Sequence, residues 1–187
     1  MTRSIWTMGF VAVGFVGCKA DVQDPDDIPA GTPTGTLVVA LSDTDDGDVE
    51  SSVEEVQIRL EDVQVQHVEE GWLSLAGETA DYDLFAIRGG SDGQIAEDDV
   101  YTGSYDKVRL IVTDAFVVVD GEQSDLRIDE GLGLPSEGID ISQSFTVSQD
   151  QTTRLTIEWD LDTQLSQNDG SWSLGTSGAS VVVDNGE

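Results

Sequence analysis

From Gly35 onward, apolar and polar residues alternate along much of the chain, and β-branched residues are abundant. That period of two predicts strands rather than helices. Leu37-Val38-Val39-Ala40-Leu41 reads as a strand. Val56, Ile58 and Leu60 alternate, and Val63 and Val65 continue on the opposite parity. A bulge near Glu61-Asp62 reconciles the two runs. A helix capped by Ser52 would also align Val53, Val56, Leu60 and Val63, but valine and isoleucine dominate and favour the strand. Further strands are expected at Trp72 to Leu75, at Val108, Leu110 and Val112, and at Phe116 to Val119. Asp120-Gly121 then predicts a hairpin turn into Leu126 and Ile128. Phe145 and Val147 lead through a polar turn to Leu155, Ile157, Trp159 and Leu161. Asp169-Gly170 predicts another turn before Trp172 and Leu174, and Val181 to Val183 ends the pattern. Asp81 to Arg88 reads as one helical turn. Eight or nine strands at turn spacing predict an all-β fold, an antiparallel β-sandwich or a barrel. We take the sandwich.

The first residues follow a different pattern. Arg3 precedes a run from Ile5 to Val16 that is apolar apart from Thr7, and Gly17-Cys18 follows. A transmembrane helix needs about 20 apolar residues, so this shorter run reads as a secretory signal peptide. The small Gly17 before the chain's only cysteine makes Cys18 the candidate lipidation site. Residues 1–17 are then the signal peptide, and 18–34 a lipidated cysteine followed by a spacer. Pro25, Pro29 and Pro33 and four aspartates dominate that spacer, a composition too poor in apolar groups to offset chain entropy. Residues 35–184 form one domain and 185–187 a tail. The expected address is extracytoplasmic, with the membrane as partner through lipid. Lys19 is not the aspartate that retains lipoproteins at an inner membrane, so the outer one is expected in a cell with two.

Charge sharpens this picture. Thirty-eight acidic residues face 8 basic ones, a formal net charge of −30. Such a field repels nucleic acid and attracts cations. Calcium binding and adaptation to salt both account for it. Asp43, Asp45, Asp46 and Asp48, closely spaced around Gly47, are the candidate calcium ligands, because calcium takes six to eight oxygens. The spacing is not that of an EF-hand. Asp81, Asp83, Asp92, Glu97, Asp98 and Asp99 form a second acid-rich region.

No catalytic residue is assigned. His67, the only histidine, is expected on the surface. No glycine-rich phosphate loop follows a strand and opens a helix. Paired carboxylates could support a hydrolase, but acids are so frequent that no pair stands out. Trp72, Trp159 and Trp172 are expected in the core rather than on a carbohydrate platform. No cofactor is expected beyond calcium, and a glycan or protein ligand stays open.

Several segments resemble one family in order: Gly35-Thr36-Leu37-Val38-Val39-Ala40-Leu41-Ser42-Asp43, Val53-Glu54-Glu55-Val56-Gln57-Ile58, Gly71-Trp72, Tyr82-Asp83-Leu84, and Gly103-Ser104-Tyr105-Asp106-Lys107-Val108-Arg109-Leu110. Asp114-Ala115 and Val117-Val118-Val119-Asp120-Gly121 follow. The stretch from Gly35 to Val183 thus resembles family 4382 of the domains of unknown function, found in prokaryotic lipoproteins. Tyr101 departs from the proline expected there, and Leu174-Gly175-Thr176 from the expected Leu-Lys-Pro. The resemblance implies a lipid-anchored sandwich of transthyretin-like or immunoglobulin-like topology, and it assigns no activity. The expected function is a lipid-anchored surface protein with a structural or binding role and no enzyme activity. The alternatives are a calcium- or glycan-binding module and, last, a carboxylate-dependent hydrolase.

Overall fold

The computed structural model describes residues 22–43, 52–75, 79–87, 92–128 and 138–186. Among them, thirteen strands run in the order β1 (Val22–Gln23), β2 (Thr34–Ser42), β3 (Val53–His67), β4 (Gly71–Ser74), β5 (Ala80–Asp83), β6 (Asp92–Tyr101) and β7 (Gly103–Val119). Then come β8 (Glu122–Ile128), β9 (Ile139–Val147), β10 (Thr152–Glu158), the single helical turn α1 (Leu161–Gln164), β11 (Leu165–Asn168), β12 (Ser171–Leu174) and β13 (Ser180–Asn185). The larger sheet has the order β1-β4-β3-β7-β8-β12-β11, with β5 also on β3 and β9 also on β7. The smaller sheet is β13-β10-β2-β6. The two pack face to face around one apolar core, as the sandwich reading expects. Both sheets are mixed rather than purely antiparallel: β1–β4, β10–β2 and β12–β8 are parallel.

The long pair β3–β7 is the spine of the larger sheet. Val56, Ile58 and Leu60 face the core, and so do Val63 and Val65. The ladder shifts register on either side of Leu60, between Arg59 and Asp62. That irregularity restores the apolar face after the parity change in the sequence. In the smaller sheet Leu37, Val39 and Leu41 point inward beside Leu155 and Ile157. Each such side chain contributes roughly 1.5–3 kcal/mol when fully buried.

Two turns follow directly from their sequences. Asp120 and Gly121 have φ of 50° and 77°, and Asp169 and Gly170 repeat those values. Two consecutive positive φ angles make the turn whose twist matches a hairpin, and Asp-Gly tolerates them best. They join β7 to β8 and β11 to β12.

Other segments differ from the sequence reading. Asp81 to Arg88 is no helix where described: β5 occupies Ala80–Asp83 and a turn covers 84–87. Leu161 does not extend the strand before it but starts α1, with Asp160 as its cap. Residues 103–119 form one strand, not two. The acid-rich stretch Asp92–Tyr101 is a full strand, β6.

The segment expected to be a spacer is docked from Val22 onward. Val22 and Gln23 lie in register with Trp72 and Leu73. The Gln23 amide donates to Glu70 O (2.9 Å) and accepts from the Tyr101 hydroxyl (3.4 Å). A short 3-10 helix follows at Pro25–Asp27, where the Asp24 carboxylate accepts from Asp26 N (3.0 Å). Pro25 at its start is pre-set for that turn and is buried. Ile28 packs against the core, and Thr102 N donates to Pro33 O (3.2 Å). The low apolar content is offset by these few placed contacts.

Candidate functional site

The sequence-derived sites separate in space. Cys18, Asp45, Asp46 and Asp48 lie outside the described residues. Asp43 lies inside them and is 1% exposed. Its Oδ1 accepts from Leu161 N (3.4 Å), and its own N donates to Ile87 O (3.4 Å). The Asp43 carboxylate therefore serves the first turn of α1, where backbone N–H groups lack helical partners. It is not equivalent to an open loop ligand.

The second acid-rich region is dispersed. Asp81 pairs with Arg59 at 2.7 Å, and this guanidinium holds its carboxyl below the usual range. Asp83 Oδ1 accepts from Val56 N (3.3 Å) and Phe85 N (2.9 Å), so it fixes the turn after β5. Glu97, Asp98 and Asp99 stand on β6 in the other sheet. Burial, with the charges of Asp26, Asp24 and Asp99, pushes the Asp98 carboxyl up. Among the described residues no three His, Cys, Asp or Glu side chains are grouped to hold a metal.

His67 is buried, 5% exposed, not on the surface as expected. It continues the inward parity of Val63 and Val65. Its Nδ1 accepts from Glu69 N (3.2 Å) and Glu70 N (3.1 Å), closing the β3–β4 turn. Nε2 is then the ring's donor, and it has no partner among the described residues. Tyr105 meets the imidazole edge-on at 4.9 Å and stacks on Phe145 at 4.9 Å. The Tyr105 hydroxyl donates to Tyr101 O (2.7 Å), and burial pushes its phenol up. His67, Tyr105 and Phe145 form a packed aromatic column.

The tryptophans occupy two faces. Trp159 and Trp172 are in the core between the sheets, as expected. Trp159 Nε1 donates to Gly175 O (2.8 Å). Trp72 is also buried, but it is in register with Gln66, and its neighbour Leu73 faces the core beside Val65. It therefore lies on the outer face of the larger sheet. The Arg109 guanidinium covers its ring at 4.1 Å and forks onto Asp140 through Nε and NH2. On the same face Asp62 is held by Ser74 Oγ (2.6 Å) and Gln64 Nε2 (2.7 Å).

A groove of about 420 Å³ opens on the β8–β12–β11 wing, lined by Arg127, Ser166, Asn168, Asp169, Ser171, Ser173 and the largely buried Trp172. Cross-strand register places Arg127, Ser173 and Ser166 in one row. Ser166 Oγ and Ser173 Oγ are 3.0 Å apart. Arg59 and Arg109 each pair with a carboxylate, whereas Arg127 shows no ion pair or hydrogen bond among the described residues. Sequence reasoning missed this groove. Its only advance signal is the run Ser171-Trp172-Ser173 after an Asp-Gly turn, which puts hydroxyls on one face and tryptophan on the other.

The model of the family described as Domain of unknown function (DUF4382) matches residues 34–175. That span is more than half of the chain, and the chain belongs to this family. It begins at the first residue of β2, so the docked segment 22–33 lies before it. No curated protein matches the chain, and no solved structure matches it.

Proposed function

We propose that this family member is a lipid-anchored, extracytoplasmic protein with a structural or binding role and no enzyme activity, held at the outer membrane where a cell has two. The observation that carries the reading is the apolar run that stops at Gly17-Cys18, followed within four residues by the first docked strand. The partner is the membrane, reached through acyl chains on Cys18. Two or more chains hold stably where one does not. Nucleic acid is not a partner for a chain of net charge −30. The test is Cys18→Ser, which should release the protein into the medium or leave the precursor uncleaved. Equal membrane retention of variant and parent would sink the reading.

The groove favours a saccharide as the bound ligand. A guanidinium without a partner among the described residues, an amide, a carboxylate and three hydroxyls suit vicinal sugar hydroxyls. Calorimetry against a panel of neutral and acidic glycans should find a binder that Arg127→Ala weakens about tenfold, the 1.4 kcal/mol typical of one charged hydrogen bond. Binding untouched by that change would place the ligand elsewhere.

A further inference from the structure

The docked N-terminal segment fixes which end of the sandwich meets the membrane. β1 runs parallel to β4 with Val22 beside Trp72, so Val22, the first described residue, stands at the end of β4 that carries Gly71 and the turn at residues 68–70. Only Lys19, Ala20 and Asp21 separate Cys18 from Val22. The four steps from Cys18 to Val22 span at most about 14 Å. A lipid on Cys18 therefore cannot hold the domain far from the headgroups while Gln23 stays bonded to Glu70 and Tyr101.

Register shows what lies at that end. His67 is in register with Tyr105, Gly103 with Val147, and Thr34 with Tyr101. Val68 N donates to Ser104 O (3.0 Å), and Asp150 N to Thr34 O (3.0 Å). The turns at 68–70, 102 and 148–151 thus share one end. The turn at Asp120-Gly121 is at the other, some 50 Å away along the 17-residue β7 at about 3.3 Å per residue. Of the three exposed large apolar side chains among the described residues, Val22 (41%) and Val68 (57%) sit at the tethered end. Glu69, Glu70 and Asp150 are exposed there too, and the three turns carry no lysine or arginine.

We propose that the end formed by the turns at 68–70, 102 and 148–151 rests against a phospholipid surface, with Val22 and Val68 toward the headgroups and Asp120-Gly121 pointing away. This rests on lipidation of Cys18. The carboxylates select a zwitterionic surface over an anionic one, because they are repelled by the latter within a Debye length of about 8 Å. The tether and its strap act as a spacer only if Gln23 lets go.

The experiment uses the full chain, exported and processed by its host, then reconstituted in phosphatidylcholine vesicles carrying a trace of acceptor-labelled headgroup. Val68→Cys and Glu122→Cys are made separately and labelled with a fluorescent donor. Cys18 itself labels only if it is not acylated. Energy transfer to the membrane should be severalfold stronger from position 68 than from 122. Phosphatidylglycerol should reduce the transfer from 68, and high salt should restore it. A Gly/Ser insertion of about a dozen residues between Lys19 and Ala20, long and flexible enough to free the domain, should erase the difference. Equal transfer from both positions with Cys18 blocked overturns the orientation and leaves the anchoring reading intact. A Cys18 that takes label in the parent protein overturns both.

Discussion

The imidazole of His67 fills the space that any side chain at position 103 would need. A Cβ built on Gly103 overlaps Nε2 and lies 3.3 Å from Cε1. Gly103 also has φ of 140°, which side chains rarely adopt. Backbone strain and overpacking therefore coincide at one residue. Gly103→Ala should cost about 2–4 kcal/mol. At 2–4 °C per kcal/mol, that lowers Tm by roughly 5–15 °C. His67→Ala made with it should recover about 1 kcal/mol relative to the sum of the single changes. Strict additivity in urea melts would show that only the backbone matters.

Arg109 lies over Trp72 and is forked onto Asp140. Removing it exposes the indole and frees the carboxylate at once. Arg109→Ala should shift tryptophan emission to the red, and Trp72→Phe should abolish that shift. The stability cost should be about 1–2 kcal/mol. Arg109→Lys keeps the charge without the planar fork, so an intermediate shift is expected. Unchanged emission in Arg109→Ala would mean that other groups cover Trp72.

These two sites show how far the pattern of residues reached. The turns at Asp120-Gly121 and Asp169-Gly170 were legible because local backbone chemistry alone specifies them. The irregularity after Leu60 was legible because a parity change demands one. His67 was legible in principle, being two residues beyond Val65, but its polar neighbour Gln66 disguised the inward face. β6 was hidden because its carboxylates outnumber its inward apolar groups: a register shift between Val39 and Ala40 leaves Ile95 and Ala96 as adjacent buried residues. The docked segment 22–33 was hidden for another reason. Its hold depends on Gln23, Pro25 and Ile28 meeting residues far along the chain, and composition carries no trace of such contacts. The groove at Arg127 was illegible because it needs the parallel pairing of β12 with β8, which no local signal announces.

Asp98 gives the protein a defined response to pH. Its folded carboxyl titrates above the unfolded value because burial and the charges of Asp26, Asp24 and Asp99 oppose ionisation. A raised acid destabilises the fold once ionised, and the penalty vanishes as pH falls below the unfolded value. Asp98→Asn should therefore stabilise the protein near neutral pH and match the parent below the ordinary carboxylate range. The Asp99 N bond to Asp98 Oδ1 (2.9 Å) survives, because asparagine keeps that oxygen. The gain should be about 0.5 kcal/mol or less, since solvent still screens a half-buried side chain. Part of it should disappear in high salt, which weakens the repulsion from the three neighbours. A gain that persists unchanged at acid pH would mean that the charge of Asp98 is not its source.

The last test separates Asp43 from the loop it opens. With its carboxylate buried and accepting from Leu161 N, Asp43→Ala should destabilise the protein in chelator, by about 1–3 kcal/mol for a buried donor left unpaired. If Asp45 and Asp46 serve only as calcium ligands, Asp45→Asn combined with Asp46→Asn should change chelator stability by no more than about 0.5 kcal/mol. Calcium is then added against sodium chloride at equal ionic strength. If the loop binds calcium, the parent should gain about 2.7 kcal/mol at a hundredfold excess over Kd. The double variant should lose that increment and keep the general salt effect. Equal shifts from both salts in the parent would remove calcium from the loop. An Asp43→Ala variant as stable in chelator as the parent would remove the structural role of Asp43 instead.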